Sequence, residues 1–187
     1  KCISSVVVSV SVKAGIEHED CGHLTVKLRG PNNTVIALVS RPGVSEGADD
    51  GGGILAGDLS GYDKGNPVTF QDAAAVAAED MGDTIGPFSY VCKDDGICAF
   101  KPDQGSAPGP SSLQAAFKGA DAVGKWRLCV GDSIWLVGGK LQQWSLTVVS
   151  SDGSFTRATA ADLGLGIKDD GYDGSLGSTA CVDIDVK

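Results

Sequence analysis

"GKWRLCVGD" at residues 124–132 and "GKLQQWSLTVVS" at 139–150 decide the fold of this chain. In the first, Trp126, Leu128 and Val130 recur at every second residue; in the second, Trp144, Leu146 and Val148 do the same. Period two is the mark of a strand with one face on a core, so both tryptophans are expected inside. Outward from this pair, "LTVKL" (24–28), a "GPNN" turn and "TVIALVS" (34–40) read as a hairpin. "CISSVVVSVSV" (2–12) is a β-branched run that sets Ile3, Val6, Val8, Val10 and Val12 mostly in alternation. "PVTFQDAAAVAA" (67–78) begins as a further strand. Residues 41–66 and 80–112 are punctuated by Gly, Pro and Asp and read as long loops. Only 73–80 and 113–118 suit short helical turns. Many short strands joined by such loops predict an all-β sandwich or jelly roll.

Bulk composition narrows the function. The chain has 187 residues, 42% of them hydrophobic, enough for one ordinary core. Its net charge of −9, with basic residues scattered, excludes nucleic acid and an anionic membrane surface as natural partners. No apolar run approaches the length of a membrane helix. Lys1 leads directly into Cys2 and a strand, which reads as a mature, processed start. Six cysteines in a glycine-rich β chain predict disulfides and a secreted, extracellular location. Cys92 and Cys98 are close enough to close a small loop through "KDDGI". Asn32 opens an "NNT" glycosylation sequon on the hairpin turn.

"HEDCGHL" (18–24) concentrates both histidines, two acids and Cys21 in the loop leading into "LTVKL". His, Cys and carboxylates are transition-metal ligands, so His18 and His23 form a candidate metal pair; hydrogen bonding within a loop is the plainer reading. "GDSI" (131–134) has the look of a serine-nucleophile segment, but no Gly-Gly follows Ser133 and the only histidines lie in the one loop. No catalytic constellation emerges, and the chain reads as a non-enzyme. Asp- and Gly-rich stretches at 49–65 and 169–177 have calcium-loop spacing without an EF-hand pattern, and read as solvated loops. Trp135, in "IWLV", suits an exposed contact tip.

Gly124, Trp126, Leu128, Val130 and Asp132, then Gly139, Leu141, Trp144 and Leu146, fall in step with G-T-W-x-L-x-V-x-D and G-x-L-x-x-W-x-L. His18, Gly22, Leu24 and Pro31 follow H-x-x-x-G-D-L and its Pro turn, "VTFQDAA" (68–74) follows V-T-F-D-D-A, and "LQAAFKG" (113–119) follows L-x-x-F-x-G. In this order and spacing the chain resembles the P domain, or homo B domain, of proprotein convertases and bacterial subtilisin-like proteases, over residues 2–149. The resemblance implies a jelly-roll-like sandwich of about eight strands with no active site of its own. It also implies a calcium site, to which Asp72 and Asp132 would contribute. His23 and Val137 stand where the family has Asp, which weakens that site; Asp20, Glu79 and Asp80 are further acids. Since loop and strand end carry neighbouring family positions, the resemblance further implies a bridge between Cys21 and Cys129.

The domain so defined is complete near Ser150, giving a P-like sandwich over 1–150 and an extension over 151–187. "SSDGSFTRATAADLGLG" reads as a linker, and "IKDDGYDGSLGSTACVDIDVK" resembles the lead-in and first strand of another such domain. Val182, Ile184 and Val186 share one face after Cys181, as the valines do after Cys2. A finished domain with a spare apolar strand predicts strand donation to a neighbouring copy, with Cys181 pairing Cys2 of that copy. Two functions follow: a self-associating structural subunit of an extracellular filament, favoured by the spare strand, or an accessory P domain of a subtilisin-like serine protease.

Overall fold

The computed structural model describes residues 6–52, 56–135, 137–153 and 155–187. The chain is an all-β sandwich. One sheet has the order β11-β10-β1-β5-β8-β6, from strands β1 (Val7–Glu17), β5 (Val68–Phe70), β6 (Val76–Ala77), β8 (Ala99–Lys101), β10 (Gly139–Ser150) and β11 (Phe155–Ala160). β12 (Leu165–Ile167) also pairs with β10, beyond the end of β11. The facing sheet has the order β13-β9-β2-β3, from β2 (Leu24–Arg29), β3 (Val35–Ser40), β9 (Gly124–Asp132) and β13 (Ala180–Val186), all antiparallel. Two short parallel strands, β4 (Gly61–Tyr62) and β7 (Tyr90–Val91), tie the long loops together.

Trp126 and Trp144 are both in the core, one from each sheet, as their alternation predicted. Trp126 donates its indole N–H to the Ala122 carbonyl at 3.2 Å and meets Phe117 edge-on at 4.8 Å. Phe117 belongs to a short helix, α1 (Leu113–Phe117). Ser112 caps it by accepting from the Ala115 N–H, and both oxygens of Asp72 accept from its first two amides. The expected helical stretch at 73–80 is instead β6 followed by a single 3-10 turn at Ala78–Asp80. In β1 the alternation slips: a bulge between Val7 and Ser9 buries Val7 and leaves Val8 exposed, while Val10 and Val12 stay inward as expected. Ile3 and Cys2 lie outside the described residues.

The largest departure from expectation is after Ser150. Residues 150–166 are not a linker, because a turn at 150–153 folds the chain back and β11 and β12 extend the β10 edge. The chain then crosses to the second sheet, where β13 pairs with β9 over seven residues, from Ala180↔Val130 to Val186↔Gly124. The strand expected to be donated therefore sits on its own chain. Ile184 and Val186 are buried in the common core, with Val182 packed against it. Burying each of the two fully should stabilise the fold by roughly 1.5–3 kcal/mol. One sandwich spans both segments, and β13 occupies the open edge of β9, which would otherwise be an unpaired strand edge.

The disulfides differ in the same way. Cys92 and Cys98 are bonded, as their spacing predicted. Cys129 is bonded to Cys181, not to Cys21, because the register of β13 places Cys181 directly across from it. Cys181 is thus not left for a neighbour's Cys2. Cys21 is a free buried thiol.

Candidate functional site

The stretch "HEDCGHL" and the end of β9 meet at one end of the sandwich. His18 follows β1 directly and exchanges backbone hydrogen bonds with Tyr62 of β4, its N–H at 3.2 Å and its carbonyl at 2.7 Å. Residues Cys21–His23 form a 3-10 turn that delivers His23 to the head of β2. The turn is held against the long loop: the Cys21 N–H donates to Ser60 O at 2.6 Å and the Gly22 N–H to Asp58 O at 2.9 Å. Only glycine fits at 22, since a Cβ there would lie 2.3 Å from the Ala56 carbonyl oxygen. The pairing of β2 with β9 sets Leu24 across from Asp132, so the last residue of β9 reaches the histidines.

Three side chains converge there. His18, His23 and Asp132 each offer a ligand atom within 4.8 Å of the others, and all three residues are buried. His18 Nε2 is 3.1 Å from Asp132 Oδ2, and its Nδ1 accepts the Asp20 backbone N–H at 3.1 Å. An acceptor at Nδ1 places the ring proton on Nε2, which donates to the carboxylate. Asp132 Oδ1 accepts from the Ile134 N–H. The rings of His18 and His23 meet edge-on, 5.7 Å apart. His23 Nε2 lies 3.7 Å from Asp20 Oδ2, and its Nδ1 is buried with no hydrogen-bond partner among the described residues. Burial pushes the His23 pKa below its ordinary value against the opposing pull of Asp20, favouring the neutral ring. Burial raises the Asp20 carboxyl in turn, opposed by both histidines.

The Ser133 hydroxyl oxygen is buried and makes no hydrogen bond to either histidine among the described residues, and both nitrogens of His18 are engaged elsewhere. Cys21 is unsuited to nucleophilic or thiolate chemistry. Its sulfur lies against Asp58, Ser60 and Met81, and burial pushes the thiol pKa far up.

The expected calcium pair is not assembled. Asp72 caps α1 and borders a hollow with Val8–Ser11, near the start of β1, whereas Asp132 meets His18 just past its end. The two lie on the order of 25 Å apart at the rise of a strand, and Asp132 already bonds His18 and Ile134 with its two oxygens. Calcium needs six to eight oxygens, and this set does not supply them. Glu79 is used elsewhere, accepting from the Gly43 N–H. Asn32 is exposed at the β2–β3 turn, with its Oδ1 accepting from the Thr34 N–H. Sequence reading paired His18 with His23 and took Asp132 separately; the β2–β9 register brings Asp132 to them.

An open hollow of about 460 Å³ lies beside the cluster, lined by Glu17, His18, Glu19, Tyr62, Tyr90 and Gly139 among others. The loop between β9 and β10 carries Trp135, which is 69% exposed. Phe88, two residues before Tyr90, is 90% exposed. Comparison with known protein families, characterised proteins and solved structures finds no match for the chain.

Proposed function

We propose that this chain acts as a non-catalytic accessory module of an extracellular protein, a P-domain-like sandwich of the kind that accompanies subtilisin-like catalytic domains. The observation that carries the reading is the seat of β13. A strand to be donated must be free, and this one is paired along its length with β9 and covalently joined to it through Cys129 and Cys181. A strand held in this way supports the accessory reading over strand donation. The ordered motifs around Trp126 and Trp144 support the family reading, and the unavailability of His18 to Ser133 supports the absence of catalysis. Two disulfides fit an oxidising setting, and among the described residues no helix is long and apolar enough to cross a membrane. Trp135 and Phe88 supply exposed aromatic contacts of the type that anchor partner surfaces.

Light scattering and electron microscopy of the concentrated chain test this reading. A monomer of 19.0 kDa without filaments is expected. Filaments that vanish when residues 178–187 are deleted would restore the structural-subunit reading. A panel of peptide, ester and glycoside substrates should show no turnover; turnover abolished by Ser133→Ala or His18→Ala would make the chain an enzyme.

A further inference from the structure

We infer that His18, His23 and Asp132 form a binding site for a zinc-class divalent cation, with Asp20 facing the other nitrogen of the His23 ring. The first ground is the donor set. Two imidazoles and one carboxylate, mutually within 4.8 Å and all buried, match borderline metals and not the oxygen-only shells of calcium or magnesium. The second is the buried Nδ1 of His23, which has no hydrogen-bond partner among the described residues. A polar atom so placed is costly unless something occupies the space it faces. The third is charge: Asp132 and Asp20 together neutralise a dication. Asp20 Oδ2 lies 3.7 Å from His23 Nε2 at the outer edge of the cluster.

Spacing is compatible with this assignment. Ligand atoms on a tetrahedral zinc ion, with bonds of about 2.0–2.1 Å, stand roughly 3.3 Å apart. His18 Nε2 and Asp132 Oδ2 are already 3.1 Å apart. The widest separation, within 4.8 Å, has to close by about 1.5 Å to reach that edge. Binding also demands one proton shift. Nε2 of His18 must give up its proton to become a ligand, and the neutral ring then carries it on Nδ1. The Asp20 N–H that now donates to Nδ1 must turn away. Of the cluster, His18 is the side chain that borders the open hollow.

The test is titration of the chelator-treated full chain with Zn²⁺, followed by calorimetry and thermal melting, with Co²⁺ as the optical probe. One equivalent should bind, raise the melting temperature by mass action, and give the intense visible bands of four-coordinate Co²⁺. Nitrogen-15 spectra should show His18 changing from the Nε2–H to the Nδ1–H tautomer. His23→Gln removes the second imidazole while leaving a side chain of similar size and polarity. It should keep the metal-free melting temperature and weaken Zn²⁺ binding by more than about 100-fold, beyond the usual loss from a supporting residue. Absence of stoichiometric binding overturns the proposal. So does binding that survives His23→Gln unchanged, or a melting shift that Ca²⁺ reproduces in full.

Discussion

Cys181 stands directly across from Cys129 in the antiparallel register of β13 and β9, and their sulfurs are bonded. This single pairing ties the end of the described chain to the strand that carries Trp126, and it converts an expected donor strand into part of the core. The bond closes a loop with a sequence separation of 52. In the chain-entropy account such a loop is worth up to about 4 kcal/mol. The double substitution Cys129→Ala with Cys181→Ala should therefore lower unfolding free energy by roughly 2–4 kcal/mol in urea. Amide exchange should show residues 180–186 losing protection before the β1–β10 pair does. Equal protection in both forms would mean that packing alone holds β13.

Asp183 is the polar counterpart of that bond. It accepts from Arg127 Nε at 2.6 Å and Nη2 at 3.0 Å across the same strand pair, with Lys125 Nζ at 3.2 Å. Hydrogen bonds from Arg127, chiefly, hold the carboxyl down at about 2. A depressed carboxylate contributes stability above its unfolded pKa of about 3.8, and that contribution is lost as pH falls towards 2. Asp183→Asn should cost about 1 kcal/mol at pH 7, allowing for solvent screening, and only a small fraction of that at pH 2. A cost that is the same at both values would assign the effect to shape and not charge.

Lys27 is buried on the outer side of β2, beneath the long loop and the tail. Its ammonium donates to Asp49 at 2.6 Å and to the Gly174 carbonyl at 2.9 Å, and lies 5.1 Å from the centre of the Tyr172 ring. Tyr172 donates its hydroxyl to the same carboxylate. Lys27→Met leaves that buried acid without its cation and should cost roughly 3–5 kcal/mol. Adding Asp49→Leu should recover most of the loss. Denaturation of the two single variants and the double variant would measure the coupling.

Glu79 gives the opposite pH signature. Burial, with Asp103, Asp80 and Asp83 nearby, raises its pKa to about 7 against the favourable bond from the Gly43 N–H. The folded state then holds a proton that the unfolded chain releases above about 4.5, so stability falls as pH rises from there to 7. Glu79→Gln keeps an acceptor for Gly43 and should stabilise the protein at pH 8 by on the order of 1 kcal/mol after screening, with no gain at pH 4. Melting curves at the two values decide it.

Local pattern alone made the strands around Trp126 and Trp144, the 24–40 hairpin and the Cys92–Cys98 loop legible. Each depends on neighbours within a few residues: period two sets a buried face, and six residues of separation bring two sulfurs together whatever the rest of the chain does. Pattern also marked "ACVDIDV" as a strand, but periodicity does not name the partner of a strand. That choice belongs to the edge of β9, which buries Ile184 and Val186 and aligns Cys181 with Cys129. The fate of 151–177 was hidden for the same reason, since "FTRATA" is a polar edge strand whose identity comes from the β10 backbone beside it. The bulge at Val8 is equally non-local, because one extra residue in β1 matters only against the register of β10. The candidate site divides along the same line. The residue types of "HEDCGHL" proclaimed a possible metal pair, yet Asp132 is 114 residues from His18. Their contact follows from the pairing of β2 with β9, a long-range choice made by the buried faces of both strands packing into one core.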